Sequence, residues 1–201
     1  RFGGISRSTK GGRKPNTLAQ AAAHNLRADQ QERGARAHID PAKSHLNKIL
    51  VGPSNPALVA ALAQTKMAEA GIDASKLRKD YTQAIELMTS LPPSSGVDEE
   101  RFFADAVAWV GRRYGDANIL SAVVHRDEAT PHCHVLLLPL VGGKMNGAAL
   151  KTRQATQEAL RDFYDAVAKP HGLRRMGRAS SAQKADIVKA VLERLSTTND
   201  P

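Results

Sequence analysis

The segment 125–134, HRDEATPHCH, constrains the fold more than any other part of the chain. It lies between two short apolar runs, at 119–124 (ILSAVV) and 135–138 (VLLL). Both runs are rich in β-branched and aliphatic residues, and the Thr130-Pro131 pair between them is typical of a turn. The sequence therefore predicts two paired strands, with a cluster of polar residues at the end where one leads into the other.

The histidines of this segment indicate a metal site. Side chains alternate across a strand, so His132 and His134 are expected on one face and Cys133 on the other. If the turn brings His125 back beside them, three imidazoles converge on one point. Three protein nitrogens leave coordination positions open for water or substrate, which distinguishes catalytic metal sites from closed structural ones.

The alternative is that these are unrelated surface histidines. Three of the seven histidines in the chain would then fall within ten residues by chance. They would also adjoin the carboxylates Asp127 and Glu128 next to buried strands, where charge needs compensation. We therefore favour the metal site.

Composition indicates the kind of partner. The chain has 201 residues, 41% of them hydrophobic, which suits a single globular domain. Its 29 Lys and Arg against 20 Asp and Glu give a formal charge of +9 and favour a polyanionic partner.

No apolar run approaches the length of a membrane span, and no signal peptide is visible. The single cysteine, Cys133, excludes an internal disulfide and fits a cytosolic setting. Because the chain begins at Arg1, we expect a fragment.

Residues 1–16 are predicted to form a basic arm without acidic residues. Such a block serves either as a flexible solvated segment or as an arm that contacts nucleic acid. Its candidate DNA-binding residues are Arg7, Lys10, Arg13 and Lys14.

Capping and turn residues predict the helices. The first helix is expected at 17–33, with Thr17 as N-cap and Gly34 as the stop, and a short helical turn follows Asp40-Pro41. The next helix is expected at 56–70, with Asn55 as N-cap, and a further helix runs to Tyr114 from a Ser95/Asp98 capping box. The last two helices are expected at 152–169 and 181–195. The expected core-facing positions are Leu58, Leu62 and Met67; Phe102, Ala106, Trp109 and Val110; and Leu160, Phe163 and Val167. With a further strand at 81–89, the order favours an α+β fold, an antiparallel sheet covered on one face by helices.

On the first helix His24 and Arg27 are three residues apart and share a face. A lone helical histidine is usually structural or exposed, so periodicity alone gives His24 no role.

Several motifs together resemble those of a known family. The pattern His125-x-Asp127-Glu128-x-Thr130-Pro131-His132-x-His134 resembles the metal-site motif of the MobV-type (Mob/Pre) plasmid mobilisation relaxases, members of the HUH endonuclease superfamily. His24-Asn25-x-Arg27 resembles the family's N-terminal motif, 43–47 (KSHLN) its second motif, and 166–172 (AVAKPHG) a downstream stretch. Together they cover most of residues 3–176 in the expected order.

The resemblance implies an enzyme that nicks one strand of plasmid DNA at its origin of transfer and stays attached to the new 5′ end. It implies an antiparallel sheet carrying a two-histidine (HUH) strand, with His125, His132 and His134 as metal ligands. The nucleophile would be His24, a histidine instead of a tyrosine, with Arg27 beside it to clamp the phosphate. Tyr81, Tyr114 and Tyr164, the only tyrosines, are predicted at strand ends or on core helices, which agrees with this.

A base or hydrogen-bond acceptor must fix the tautomer of a neutral His24. Glu128 is the candidate, with Asp127 as the alternative or as a partner of a ligand histidine. The cofactor expected is one divalent ion, Mn²⁺ in the first place, with Mg²⁺, Zn²⁺, Co²⁺ or Ni²⁺ as alternatives, because imidazole suits the softer ions and phosphoryl chemistry the harder ones.

The expected partner is plasmid DNA at the origin of transfer, partly single-stranded, with other mobilisation or coupling proteins possible, in the bacterial cytoplasm. Besides the arm, the candidate DNA-binding residues are Lys43, Ser44, His45, Asn47, Lys144, Lys151, Arg153, Arg174 and Arg175, although each basic residue alone is as readily a solvated surface charge. Residues 1–201 would form one relaxase domain, with 180–201 as a helical extension. Relatives are expected to have a strand ahead of Phe2, so we expect one to be missing from the sheet.

Two other functions fit the same residues. One is a zinc-dependent phosphoester hydrolase in which Glu128 activates a metal-bound water. The other is a DNA-binding module without catalysis.

Overall fold

The computed structural model describes residues 2–6, 17–29, 39–78, 81–92 and 95–174. The strands are β1 (Phe2–Ser6), β2 (Lys48–Val51), β3 (Thr82–Ser90), β4 (Ile119–His125), β5 (His132–Leu137), β6 (Leu140–Val141) and β7 (Lys144–Met145). The helices are α1 (Leu18–Asn25), α2 (Pro56–Glu69), α3 (Glu99–Tyr114), α4 (Gly147–Leu150) and α5 (Arg153–Phe163), with 3₁₀ helices at Pro41–Leu46, Ala74–Lys76 and Asp116–Asn118 and a π-helix at Tyr164–Ala168. Several predictions lie outside the described residues: Arg7, Lys10, Arg13, Lys14, Gly34, Arg175 and the helix 181–195.

Five strands form one antiparallel sheet in the order β1-β3-β5-β4-β2. The predicted pair β4 and β5 lies at its centre, with His125 opposite His132 and Val123 opposite His134. β3 lies on the other side of β5, and there Met88 is opposite His134. The histidines therefore occupy one end of the central strands.

Helices cover both faces of the sheet. On one face Cys133 and Val135 of β5 join a core with Phe102 and Trp109 of α3. On the other face α1 and α2 pack on Leu120 and Leu136. The α+β class with an antiparallel sheet is confirmed, whereas the expectation of one covered face is wrong. Alternation explains this, because β4 and β5 are buried along their whole length and present apolar side chains to both sides.

Helix α1 begins as predicted and ends much earlier. Thr17 caps it through a capping box with Gln20. The helix stops at Asn25 instead of continuing to 33, because Arg27 takes a left-handed backbone conformation with φ 59°. That conformation is unfavourable for a residue with a Cβ atom and breaks the helical repeat.

The buried face of α2 differs from the prediction. Asn55 caps the helix as expected, but Leu58 is 57% exposed, while Val59, Ala63 and Met67 are buried. Small residues let α2 approach α1, whose Ala21 and Ala22 are also buried. Met67 is buried as predicted and Leu62 packs partly buried on the same core, so of the three predicted positions only Leu58 is wrong.

Helices α3 and α5 also differ from the prediction, each at one residue. Asp98, not Ser95, is the N-cap of α3, since its side chain accepts from the Arg101 N–H. Phe102, Ala106, Trp109 and Val110 are buried as predicted. On α5, Leu160 is exposed and Ala159 takes the buried position.

The edge strands were not predicted. Phe2–Ser6 pairs with β3 and forms the edge strand β1 instead of belonging to an arm. Lys48–Val51 pairs with β4 and forms the opposite edge. In the described part of the chain, every helix is too short or too polar to cross a bilayer.

Candidate metal centre

His125, His132 and His134 converge at the end of β4 and β5. The three ring centroids are 4.9 to 5.1 Å apart, and one nitrogen from each ring lies within 4.8 Å of the other two. All three side chains are buried. The alternation of the strand places Cys133 in the core on the opposite face, as predicted.

Each histidine donates a hydrogen bond from one ring nitrogen to a neighbouring oxygen. His125 Nε2 lies 2.7 Å from the carbonyl oxygen of Asn25, and His132 Nδ1 lies 2.7 Å from that of Thr130. His134 Nδ1 lies 3.0 Å from Glu86 Oε1. Carbonyl and carboxylate oxygens only accept, so these nitrogens carry the hydrogens. The lone pairs of His125 Nδ1, His132 Nε2 and His134 Nε2 remain for a metal.

The donor set fits a divalent transition ion. His125 Nδ1 is buried and has no hydrogen-bond partner among the described residues, which is the state expected of a ligand atom. Ligand histidines almost always donate their other nitrogen to a carbonyl or carboxylate, as all three do here.

Burial keeps two of these imidazoles neutral. It lowers the pKa of His125 to about 3, against a hydrogen bond to Asn25 that acts in the opposite direction. Burial also lowers the pKa of His132. A ligand histidine must be neutral, so protons compete little for His125 near neutral pH.

Arg27 joins the metal end of the sheet through both acids of the motif. Its Nε and Nη2 donate to the two oxygens of Asp127, at 2.9 Å and 2.5 Å. Nη2 also donates to Glu128 Oε1 at 2.8 Å. Arg27 is 8% exposed, and burial, which would lower its pKa, is outweighed by these two carboxylates, which raise it.

Asp127 is a hub of hydrogen bonds. Besides Arg27, its Oδ2 accepts from Ser44 Oγ at 3.0 Å and from Asn47 Nδ2 at 2.7 Å. Burial alone would raise the pKa of Asp127, but the donors lower it to about 2. Ser44 and Asn47 hold this carboxylate from the 3₁₀ helix and its C-cap, and their contact with DNA stays a prediction.

His24 lies beside the cluster on the last turn of α1. Its ring centroid is 6.3 Å from that of His134, and its side chain is 30% exposed. The Nδ1 atom lies 3.7 Å from Asp29 Oδ2. The histidine is therefore open to solvent at the edge of a buried site.

Both acids of the motif bind Arg27. Glu128 Oε1 pairs with Arg27 at 2.8 Å and lies 4.0 Å from His132 Nε2. A third carboxylate, that of Asp29, lies beside His24 Nδ1. The roles of Glu128 and Asp127 towards His24 stay a prediction.

The candidate DNA-binding residues divide between two ends of the sheet. Lys43 and His45 are exposed on the 3₁₀ helix that carries Ser44, next to the metal end. Lys144 and Lys151 follow the opposite end of β5, and Lys151 Nζ donates to Thr82 Oγ1 at the start of β3. The expectation that these two surround the site is wrong. Arg153 and Arg174 are exposed, and no described contact ties them to the histidines.

Sequence reasoning missed four groups of the site. They are Glu86, which accepts from His134; the carbonyls of Asn25 and Thr130; and Asp29. Glu86 had a signal, since it is the one acid within the strand TQAIELMTS. The two carbonyl partners had no sequence signal, because every residue has a main-chain carbonyl.

Comparison with known proteins gives a consistent result. The family model described as "Plasmid recombination enzyme" (Mob_Pre) matches residues 5–189. A plasmid recombination enzyme of Streptococcus agalactiae is 29% identical over 75% of this chain and 31% of its own length. A 65 kDa protein of Zymomonas mobilis is 28% identical over 83% of this chain and 28% of its own. The chain thus spans about a third of these curated relatives.

Solved structures of one relaxase domain are also similar. A Mn-bound crystal structure of the MobM relaxase domain (MOBV; Mob_Pre), with 22 nucleotides of plasmid pMV158 oriT DNA, matches with a TM-score of 0.70 and 26% identity. The match covers 90% of this chain and 93% of that one. A second, with a 3′-thiophosphate on the DNA, matches with a TM-score of 0.71 and 25% identity, over 90% and 92%.

Proposed function

Since this chain belongs to the plasmid recombination enzyme family, we propose that it nicks and rejoins one strand of plasmid DNA at an origin of transfer. The reaction passes through a covalent 5′-phosphoryl-histidine at His24 and initiates conjugative mobilisation. The observation that carries the proposal is the partly exposed His24 imidazole, whose centroid lies 6.3 Å from that of His134 at the edge of a three-histidine cluster. The similar MobM domain was crystallised with oriT DNA and Mn.

His125, His132 and His134 hold one divalent ion, Mn²⁺ as in the MobM structures. When bound, the ion supplies positive charge to the non-bridging oxygens of the scissile phosphate. Three neutral imidazoles cancel none of that charge.

His24 attacks as a neutral imidazole. Asp29, 3.7 Å from Nδ1, favours the tautomer with hydrogen on that atom and leaves the Nε2 lone pair for phosphorus. The pair must shorten to about 2.9 Å to form a hydrogen bond, which is common when a substrate binds. The N–P bond forms as the P–O3′ bond breaks, and the 3′ oxygen takes a proton from water.

Arg27 has one donor left for the DNA. Its Nη1 is buried and has no hydrogen-bond partner among the described residues, while Nε and Nη2 are held by Asp127 and Glu128, so a phosphate must enter the metal end of the sheet to reach Nη1. A guanidinium fixed on one side can direct its remaining N–H groups at a phosphate oxygen. Asp127 and Glu128 thus position Arg27.

The described residues form one relaxase domain, and the partner is partly single-stranded DNA. This rests on the similarity to the MobM relaxase domain, which was crystallised with oriT DNA, over 90% of this chain. Lys43 and His45 contact the backbone beside the site.

A supercoiled plasmid with the cognate origin tests the proposal. We expect relaxation that requires Mn²⁺ and leaves protein on the 5′ end, and loss of the adduct in His24→Ala. Free hydrolysis products without adduct would indicate the metal-dependent hydrolase, and binding without nicking a non-catalytic module. A covalent adduct in His24→Ala would refute the assignment of the nucleophile.

A further inference from the structure

Asn25 connects the two halves of the site. It directly follows His24 in the sequence, is buried, and ends helix α1. We infer that Asn25 and Glu86 form a positioning link that fixes His24 relative to the metal ligands. The part of this inference that concerns His24 rests on the proposed function.

The link begins at the main chain of Asn25. Its carbonyl oxygen accepts from His125 Nε2 at 2.7 Å. In a continuing helix the N–H group four residues later would donate to this oxygen, but α1 stops at Asn25 and Arg27 takes a left-handed conformation. The last carbonyls of a helix lack helical partners, and this one takes a ligand histidine instead.

The side chain of Asn25 makes the second connection. Its Nδ2 donates to Glu86 Oε1 at 3.1 Å, and the same oxygen accepts from His134 Nδ1 at 3.0 Å. One residue therefore reaches two of the three ligand histidines, one directly and one through Glu86. The third ligand, His132, is held differently: its Nδ1 lies 2.7 Å from the carbonyl oxygen of Thr130 in its own loop.

The chemistry of Glu86 suits this place. It is a largely buried carboxylate on β3, between His134 and the end of α1. A carboxylate that accepts from a ligand imidazole raises its basicity and fixes its orientation. The carboxylate and the negative end of the α1 dipole both favour a cation at the cluster.

The two members of the link therefore have separable effects. Glu86 holds the ligand His134, so its loss weakens the metal site. The Asn25 side chain anchors the end of α1, which carries His24, to Glu86, while the main-chain carbonyl of Asn25 makes its own hydrogen bond to His125. Loss of the side chain should therefore disturb the orientation of His24 more than the ligands, because His125 keeps the carbonyl and His134 keeps Glu86.

The first experiment measures Mn²⁺ affinity by calorimetry. We expect Glu86→Gln to weaken binding by about 10-fold or more, since lost second partners of ligand histidines cost roughly 10- to 100-fold. Asn25→Ala should stay within about threefold of wild type. Glu69→Gln, the same charge change at an exposed site on α2, is the control and should leave the affinity unchanged. Wild-type affinity in Glu86→Gln would overturn the inference.

The second experiment measures covalent adduct formation at saturating Mn²⁺. We expect Asn25→Ala to slow it by about 10- to 100-fold, because small misplacement of a reacting group has effects of this size. The double variant Asn25→Ala/Glu86→Gln should be slower than Asn25→Ala by less than the separate effects predict, since the two side chains act as a unit. An adduct rate in Asn25→Ala equal to wild type would overturn the inference.

A third measurement separates this inference from the proposed function. Bound Mn²⁺ should broaden the NMR signals of the His24 ring, and Asn25→Ala should change that broadening, whether or not His24 is the nucleophile. If wild type forms no adduct at His24, the proposed function fails and the broadening still tests the link. Equal broadening in wild type and Asn25→Ala would overturn it.

Discussion

The Arg27 guanidinium donates hydrogen bonds to both oxygens of the Asp127 carboxylate, 100 residues away in the sequence, at 2.9 Å and 2.5 Å. Among the described residues other than glycine, Arg27 alone has a positive φ. Such a conformation costs roughly 1 kcal/mol or more and persists where the surroundings over-determine it. The pair therefore fixes the turn after α1, and with it the end of the helix that bears His24.

Asp127→Asn should destabilise the protein strongly. It leaves the buried Arg27 charge short of its main partner and places an amide against the donors of Ser44 and Asn47. Breaking a buried ion pair from one side costs about 3–5 kcal/mol, and the remaining contact with Glu128 favours the lower end. Urea unfolding measures the change. Asp165→Asn, at an exposed position, is the control. Equal stability of the two variants would contradict the role of Asp127 as the carboxylate that holds Arg27, Ser44 and Asn47.

The metal-free protein should lose stability below pH 6.5. The pKa of His125 is about 3 when folded, against an ordinary 6.5, so between these values the unfolded chain binds a proton that the folded chain excludes. Stability then falls as pH falls, by about 2 kcal/mol from pH 7 to pH 5 for this group. Unfolding in the presence of a chelator measures it. His125→Gln should flatten the slope, and exposed His45→Gln should not; identical slopes in all three would contradict the assignment.

Much of the site follows from the spacing of its residues. The alternation of a strand and the Thr130-Pro131 turn were sufficient to bring His125, His132 and His134 together. The pairing of His125 with Asn25 and of His134 with Glu86 could not be predicted, because the partners come from distant elements, 100 and 48 residues away. Only the resemblance singled out His24, and no local pattern could show that Asp29 lies 3.7 Å from its Nδ1.

Local sequence signals predicted the helix caps but not all of the residues that pack in the core. Caps placed Thr17 and Asn55 correctly, since a cap is a local hydrogen bond. Of the predicted core positions of α2, Leu62 and Met67 pack on the core but Leu58 does not, and Val59 and Ala63 take its place, because the alanines of α1 let that side of α2 approach. β2, with four residues and half of them exposed, has too little pattern to reveal a strand.

Cys133 should react with thiol reagents only after the sheet opens. It is fully buried on β5, and burial raises the pKa of its thiol to about 12. Labelling in native buffer should be slow and should quicken in urea. Mn²⁺ should slow it further, because a ligand of the native state suppresses opening. Fast labelling of the native protein, or no effect of Mn²⁺, would contradict this placement.

Lys43 should contribute to DNA binding and Lys151 should not. Lys43 is exposed beside the metal end, whereas Lys151 binds Thr82 at the other end of the sheet. Each phosphate contact to single-stranded DNA contributes about 0.7 to the slope of log K against log salt concentration. Lys43→Ala should reduce the slope by about this amount, with Lys151→Ala as the matched control. Equal slopes, or a larger change in Lys151→Ala, would contradict the division of the surface.

The mass of one peptide tests the central claim most directly. Cleavage after Arg13 and Arg27 releases KPNTLAQAAAHNLR, in which His24 is the only histidine and which has no tyrosine, serine or cysteine. After reaction with an origin oligonucleotide and Mn²⁺, followed by nuclease trimming, we predict that this peptide carries a 5′-nucleotide through an acid-labile bond. An unmodified 14–27 peptide, with the nucleotide found on any other peptide, would contradict the account.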